Sequence, residues 1–140
     1  MAIALLPQPA AAQSAVAVLG EFGLLDGVWA TDCSKDPSPM NWYARYSMSP
    51  SSEARLTFSL KRDRTGDFGY VIRQARRFSA NEILLEVDVV AEKRQLEVLL
   101  RVDGERYHTI SVKQPDGGYQ IKDGKFTDDG SESPGYNRCR

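Results

Sequence analysis

The feature that most constrains this chain is an apolar residue at every second position, recurring in short runs separated by turn-forming clusters. Leu56, Phe58 and Leu60 alternate with Arg55, Thr57, Ser59 and Lys61. Ile83, Leu85, Val87 and Val89 alternate with Leu84, Glu86 and Asp88. Leu96, Val98, Leu100 and Val102 alternate with Glu97, Leu99 and Arg101. Successive side chains of an extended strand point to opposite faces, so a period of two predicts strands with one face buried. Trp42, Ala44, Tyr46 and Met48 against Tyr43, Arg45 and Ser47 give another strand, and Tyr70 to Phe78 one with a basic outer face. Gly27 to Asp32 is a first strand, with Trp29 on one side and Val28 and Ala30 on the other. Ile110 and Val112 lie on a return strand beside Tyr107, Thr109 and Ser111.

The intervening segments carry turn chemistry. Lys35-Asp36-Pro37-Ser38-Pro39, residues 63–67 and Pro115-Asp116-Gly117-Gly118 read as loops or turns. Asp103-Gly104 predicts a two-residue type I′ hairpin, and Asp123-Gly124 a further turn. Residues 91–100 also satisfy a helix by propensity, but alternation running on into Val102 and the turn after it favour a strand. Residues 14–23 fit a short helix or a frayed lead-in. The expectation is a mainly β domain over residues 14–140, built as an antiparallel barrel or sandwich.

The ends of the sequence bear on compartment. No charge occurs before Glu21, and an apolar run, Pro7 and Pro9, then Ala10-Ala11-Ala12 resemble the core and cleavage regions of a secretory signal. A basic first segment is missing, and a disordered Ala/Pro tail is the alternative reading of residues 1–13. Cleavage would leave a chain starting near Gln13 or Ser14. The apolar run is too short and too interrupted for an integral membrane segment. Cys33 and Cys139 are the two cysteines of the chain. In an exported protein they read as one disulfide between the domain's extremities, and in a cytosolic one as free thiols. Residues 131–137 show little hydrophobic reason to stay in place without such a bridge.

Gly27-Val28-Trp29 resembles the Gly-x-Trp on the first strand of the lipocalin and calycin barrels. The resemblance implies an eight-stranded up-and-down barrel in which Trp29 closes the base and stacks on an arginine near the last strand, with Arg138 the matching residue. The Thr-Asp-Tyr-like stretch of the second half in that group is absent here. The early Trp-Ala-Thr-Asp-Cys-Ser and the Arg-Cys end also look like small exported bacterial proteins.

Composition narrows the chemistry. With 18 basic and 19 acidic residues the formal charge is −1, against a chain whose task is gripping nucleic acid. One histidine and two cysteines argue against a zinc or iron–sulfur centre, and no metal or other cofactor is expected. His108 would be the general base of a catalytic reading, with Asp88 or Glu97 as carboxylates of raised pKa if the polar face turned inward. The plainer reading is a solvated outer face with cross-strand ion pairs. Arg73, Arg76 and Arg77, with Tyr70, Phe78, Lys61, Arg62 and Arg64, form a basic set that is an outer strand face or an anion-binding surface. Acidic residues around Asp123 and Asp128 to Glu132 miss the calcium-loop spacing and read as a solvated loop.

Trp42, Tyr43, Tyr46 and Met48 are the richest aromatic cluster, fitting either a strand buried on both faces or a pocket wall. The function expected from the residues is an exported, periplasmic or secreted, non-enzymatic binding module. Trp42, Tyr46, Tyr70 and Tyr107 would wall a pocket for a small hydrophobic ligand or a partner protein. The alternatives are a small barrel isomerase or lyase using His108 or a carboxylate, and an inhibitor or assembly factor acting through the loop 34–39.

Overall fold

The computed structural model describes residues 14–140, so the signal or tail reading of residues 1–13 lies outside the described residues. A helix, α1 (Ala15–Glu21), precedes ten strands: β1 (Val28–Ala30), β2 (Tyr43–Met48), β3 (Ala54–Ser59), β4 (Phe68–Ser79), β5 (Glu82–Val89), β6 (Arg94–Asp103), β7 (Arg106–Lys113), β8 (Tyr119–Lys122), β9 (Lys125–Phe126) and β10 (Gly135–Cys139). Neighbours from β1 to β7 pair antiparallel in chain order. The last strand then pairs with β1 on one edge and with the start of β7 on the other, so eight strands close on themselves. The β8–β9 hairpin continues from the other half of β7, through Val112 opposite Ile121. The expected mainly β class is therefore realised as a closed barrel rather than a sandwich. Closure leaves no exposed barrel edge along most of its circumference.

The alternation sets what points inward. Ala44, Tyr46, Ala54, Leu56, Ile72, Ala75, Ile83, Leu85, Val87, Leu96, Leu100, Val102, Tyr107 and Tyr136 join one buried cluster. Residues 91–100 do not form a helix. A single 3-10 turn at Val90–Glu92 turns the chain, Lys93 adopts a left-handed conformation, and β6 runs from Arg94. Tertiary pairing on both sides overrides the helical propensity of this stretch.

Two expectations need correction. The turn between β6 and β7 pairs Asp103 with Arg106, so its two central residues are Gly104 and Glu105. Of these only Gly104 has positive φ, at 64°, which is the type II′ rather than the type I′ pattern. Asp123 and Gly124, joining β8 to β9, both have positive φ and do follow type I′. Secondly, residues 135–137 are not a tail held by sulfur alone. They begin the strand that closes the barrel, and Tyr136 is buried.

The lead-in forms a helix because its termini are capped. Ser14 Oγ accepts from Ala17 N–H at 3.1 Å. At the other end Gly23 N–H reaches Gly20 O and Leu24 N–H reaches Leu19 O, both at 3.0 Å, a Schellman closure. The accompanying apolar pair, Leu19 and Leu24, is fully buried. The helix packs against β4 and, with the turn that follows it, puts Val18, Leu19 and Leu24 into the cluster that contains Trp29.

Trp29 is 0% exposed, with the Arg138 guanidinium 4.8 Å over its ring. Arg138 also donates to Gly23 O at the end of the helix. This is the contact that the barrel resemblance implied. Gly27 is needed for a close approach: a Cβ there would lie 2.7 Å from Trp29 Nε1. Cys33 and Cys139 form a disulfide 106 residues apart in sequence. It joins the loop after β1 to the end of β10, across a seam of only three register pairs.

Candidate functional site: an apolar cavity inside the barrel

The barrel interior is not filled. A cavity of about 260 Å³ lies above the Trp29 end, walled by residues including Tyr46, Leu56, Tyr70, Leu85, Val98 and Tyr107. The four aromatic residues singled out in the sequence, Trp42, Tyr46, Tyr70 and Tyr107, all line this one cavity. They come from β4, β7 and the β2 region, and barrel curvature brings them together. None of the lining residues is charged.

The floor is a packed aromatic group. Tyr107 stacks on Tyr136 at 4.9 Å between centroids, and meets Trp29 at 5.1 Å and Tyr46 at 5.8 Å edge-on. Burial raises the phenol pKa of Tyr46 and Tyr107 far above the ordinary value, and that of Tyr136 to about 12. These phenols are therefore neutral donors at physiological pH. The Tyr107 hydroxyl lies beside that of Tyr46, and donation toward the Tyr46 oxygen adds to the rise at Tyr107 and lessens it at Tyr46.

The upper wall is half-buried and aromatic. Trp42 packs edge-on against Phe58 at 5.4 Å and Phe68 at 5.5 Å, and its indole N–H donates to Pro39 O at 2.9 Å. Phe126 and Pro134 line both the cavity and an adjoining recess with Pro39 and Met40. Buried Asn41 holds the neighbouring loop through Nδ2 to Asp32 O and Lys35 O, and through Oδ1 from Asp32 N–H. The aromatic cluster thus divides: Trp42 and Tyr46 face the cavity. Tyr43 donates outward to Lys35 O at 2.6 Å, and Met48 is exposed.

The residues of the catalytic reading are elsewhere. Asp88 is ion-paired with Arg73, and Glu97 is exposed, opposite Glu86 on β5 and Lys113 on β7. Neither lines the cavity, so the inward polar face that this reading requires does not occur. His108 opens onto a surface recess with Arg101, Asp103, Arg106 and Glu132. Its Nε2 lies 2.8 Å from Ser133 Oγ, while Ser133 Oγ donates to Thr109 O at 2.6 Å. The one hydroxyl proton is therefore spent on the backbone, and His108 is left to donate to the serine. That arrangement pins the segment before β10 and does not activate a nucleophile.

The basic set is also distributed. Arg77 lies over Phe22 at 4.3 Å and within 3.8 Å of Glu21. Asp129 accepts from the N–H and Oγ of Ser131, holding a local turn in the acidic loop. Among the described residues, no three His, Cys, Asp or Glu side chains converge on one point.

Phe126, Gln120, Asn41 and Tyr136 were not singled out beforehand, and Phe58 was read only as an apolar strand position. Phe58 and Tyr136 carried a usable signal, since each lies two residues from another inward position, Leu56 and Arg138. Gln120 and Phe126 carried none, because their place depends on how the β8–β9 hairpin folds back. No family model matches the chain, and neither the curated proteins nor the solved structures contain a significant match to it.

Proposed function

We propose that this protein is a non-enzymatic binding module that holds a small apolar molecule inside its barrel. The observation that carries the reading is the cavity of about 260 Å³, walled by aromatic and aliphatic side chains without a charged residue. A cavity of about 150 Å³ lined by apolar groups stays dry and accepts benzene, which scales to a ligand of about ten heavy atoms here. The disulfide supports export to an oxidising compartment, periplasmic or extracellular, where such a bond persists. The fold alone does not supply the function; the lining does.

The test is a titration with uncharged aromatic probes, read through the emission of Trp42, which packs at the cavity wall. Binding shifts and blue-moves the emission. Val98→Phe, at a half-buried lining position, fills the space and removes the response while far-ultraviolet circular dichroism stays unchanged. A wild-type protein that responds to none of the probes sinks the proposal.

A further inference from the structure

The cavity also specifies one chemical feature of its occupant, and the residue that sets it is Gln120. Val112 on β7 stands opposite Ile121 on β8, and Lys113 opposite Tyr119, so Gln120 is an extra residue with no partner across the ladder. A bulge of this kind re-aims a side chain. In an unbroken strand Gln120 and Ile121 would point to opposite faces, yet here both line the cavity. The backbone at the bulge is held in place: Gln120 O accepts from Thr127 N–H at 3.0 Å, and Thr127 Oγ1 donates to Tyr119 O at 2.7 Å. The side-chain amide of half-buried Gln120 forms no hydrogen bond with any of the described residues. Of the other wall residues, Thr109 offers one hydroxyl and none offers a charge.

Resting on the cavity reading, we infer that the occupant is an uncharged molecule with an apolar body and one carboxamide-like group, which pairs with the Gln120 amide. The Gln120 Nε2–H group donates to the carbonyl oxygen of the ligand, and Oε1 accepts from the ligand's N–H. The pairing is the same whichever way the glutamine amide is turned, because each partner carries a donor and an acceptor side by side. A hydrocarbon fills the volume and leaves both Gln120 atoms without a partner in apolar surroundings, which weakens its binding. A ketone or ester meets the donor and leaves Oε1 unmet. A carboxylate loses its hydration, finds no cation on the wall, and repels Oε1.

Three probes of matched size separate these cases: benzamide, with donor and acceptor; acetophenone, with the acceptor alone; and α-methylstyrene, with neither. The wild-type protein binds all three. Gln120→Met keeps the length of the side chain and removes its amide. It weakens benzamide by about tenfold or more and acetophenone by about threefold to fivefold, and it leaves α-methylstyrene unchanged or slightly tighter. Unaltered α-methylstyrene binding also shows that the variant keeps its cavity, and Gln120→Leu repeats the comparison should the methionine disturb the fold. A second readout does not depend on affinity: the infrared carbonyl stretch of bound acetophenone is lowered in the wild type, and returns toward its value in hydrocarbon solvent in the variant. If α-methylstyrene binds the wild type but benzamide does not, the inference falls while the cavity reading stands. The same holds if the substitution changes all three probes equally, affects none, or weakens benzamide no more than acetophenone. If none of the three binds the wild type, both fall together.

Discussion

At the residue scale, the base of the barrel depends on groups that cannot be exchanged one for one. Gly27→Ala places a methyl 2.7 Å from Trp29 Nε1 and 3.3 Å from Leu24 O. The indole must move from beneath Arg138, so the variant loses about 1–3 kcal/mol, read as a lower midpoint in thermal unfolding. The buried tyrosines set an alkaline limit. A phenol in the unfolded chain titrates near pH 10, whereas Tyr46, Tyr107 and Tyr136 hold their protons to higher pH in the fold. The unfolded state therefore binds fewer protons than the native one above pH 10. Stability is full below that pH and falls as pH rises toward about 12, where Tyr136 titrates. Absorbance at the tyrosinate band, followed with circular dichroism, should show these three phenols ionising only as the barrel unfolds. Their ionisation within an intact barrel would contradict the burial argument.

At the element scale, the last strand is the piece whose placement required most support. Its short pairing with β1 and with β7 leaves the preceding segment to be held by side chains. Ser133, 4% exposed, joins Thr109 O and His108 Nε2 and so fixes where β10 begins. Ser133→Ala leaves a buried carbonyl and a ring N–H with poorer partners, a loss of about 1–3 kcal/mol. Amide exchange should quicken over residues 124–135 and hardly change in β5 and β6. Uniform acceleration over the whole barrel would mean that the segment is not a separate unit. Periodicity made β3, β5 and β6 readable because each buries one continuous face. It did not reveal β10, whose inward residues Tyr136 and Arg138 are one aromatic and one cation, a pair that looks polar until Trp29 is seen beneath it.

At the scale of the whole molecule, the disulfide ties the two strands that chain topology leaves farthest apart in sequence. Removing a cross-link that spans 106 residues costs about 5 kcal/mol in the chain-entropy model. The Cys33→Ser, Cys139→Ser double variant should unfold at markedly lower denaturant, with the seam between β1 and β10 exchanging first. An unchanged midpoint would place the stability of the seam in Trp29 and Arg138 instead. The same closure creates the cavity, because it brings inward side chains from separate strands around one interior space.

The amino-acid pattern by itself determined that the chain is β-rich and where several hairpins turn; the cysteines read as a bridge only for an exported protein, and the Trp29–Arg138 contact was implied by the barrel resemblance. These are local or pairwise properties: a period of two, a turn dipeptide, a pair of thiols, one Gly-x-Trp. Only the tertiary structure decided that Asp88 and Glu97 lie outside, that His108 is tied to Ser133, and that Tyr107 stacks on Tyr136 beside Trp29 and Tyr46. Those outcomes depend on barrel closure, on strand register at the bulges of β4 and β7, and on the return path of the last segment. Each couples residues distant in sequence through a shared interior, and no short stretch of chain carries that information.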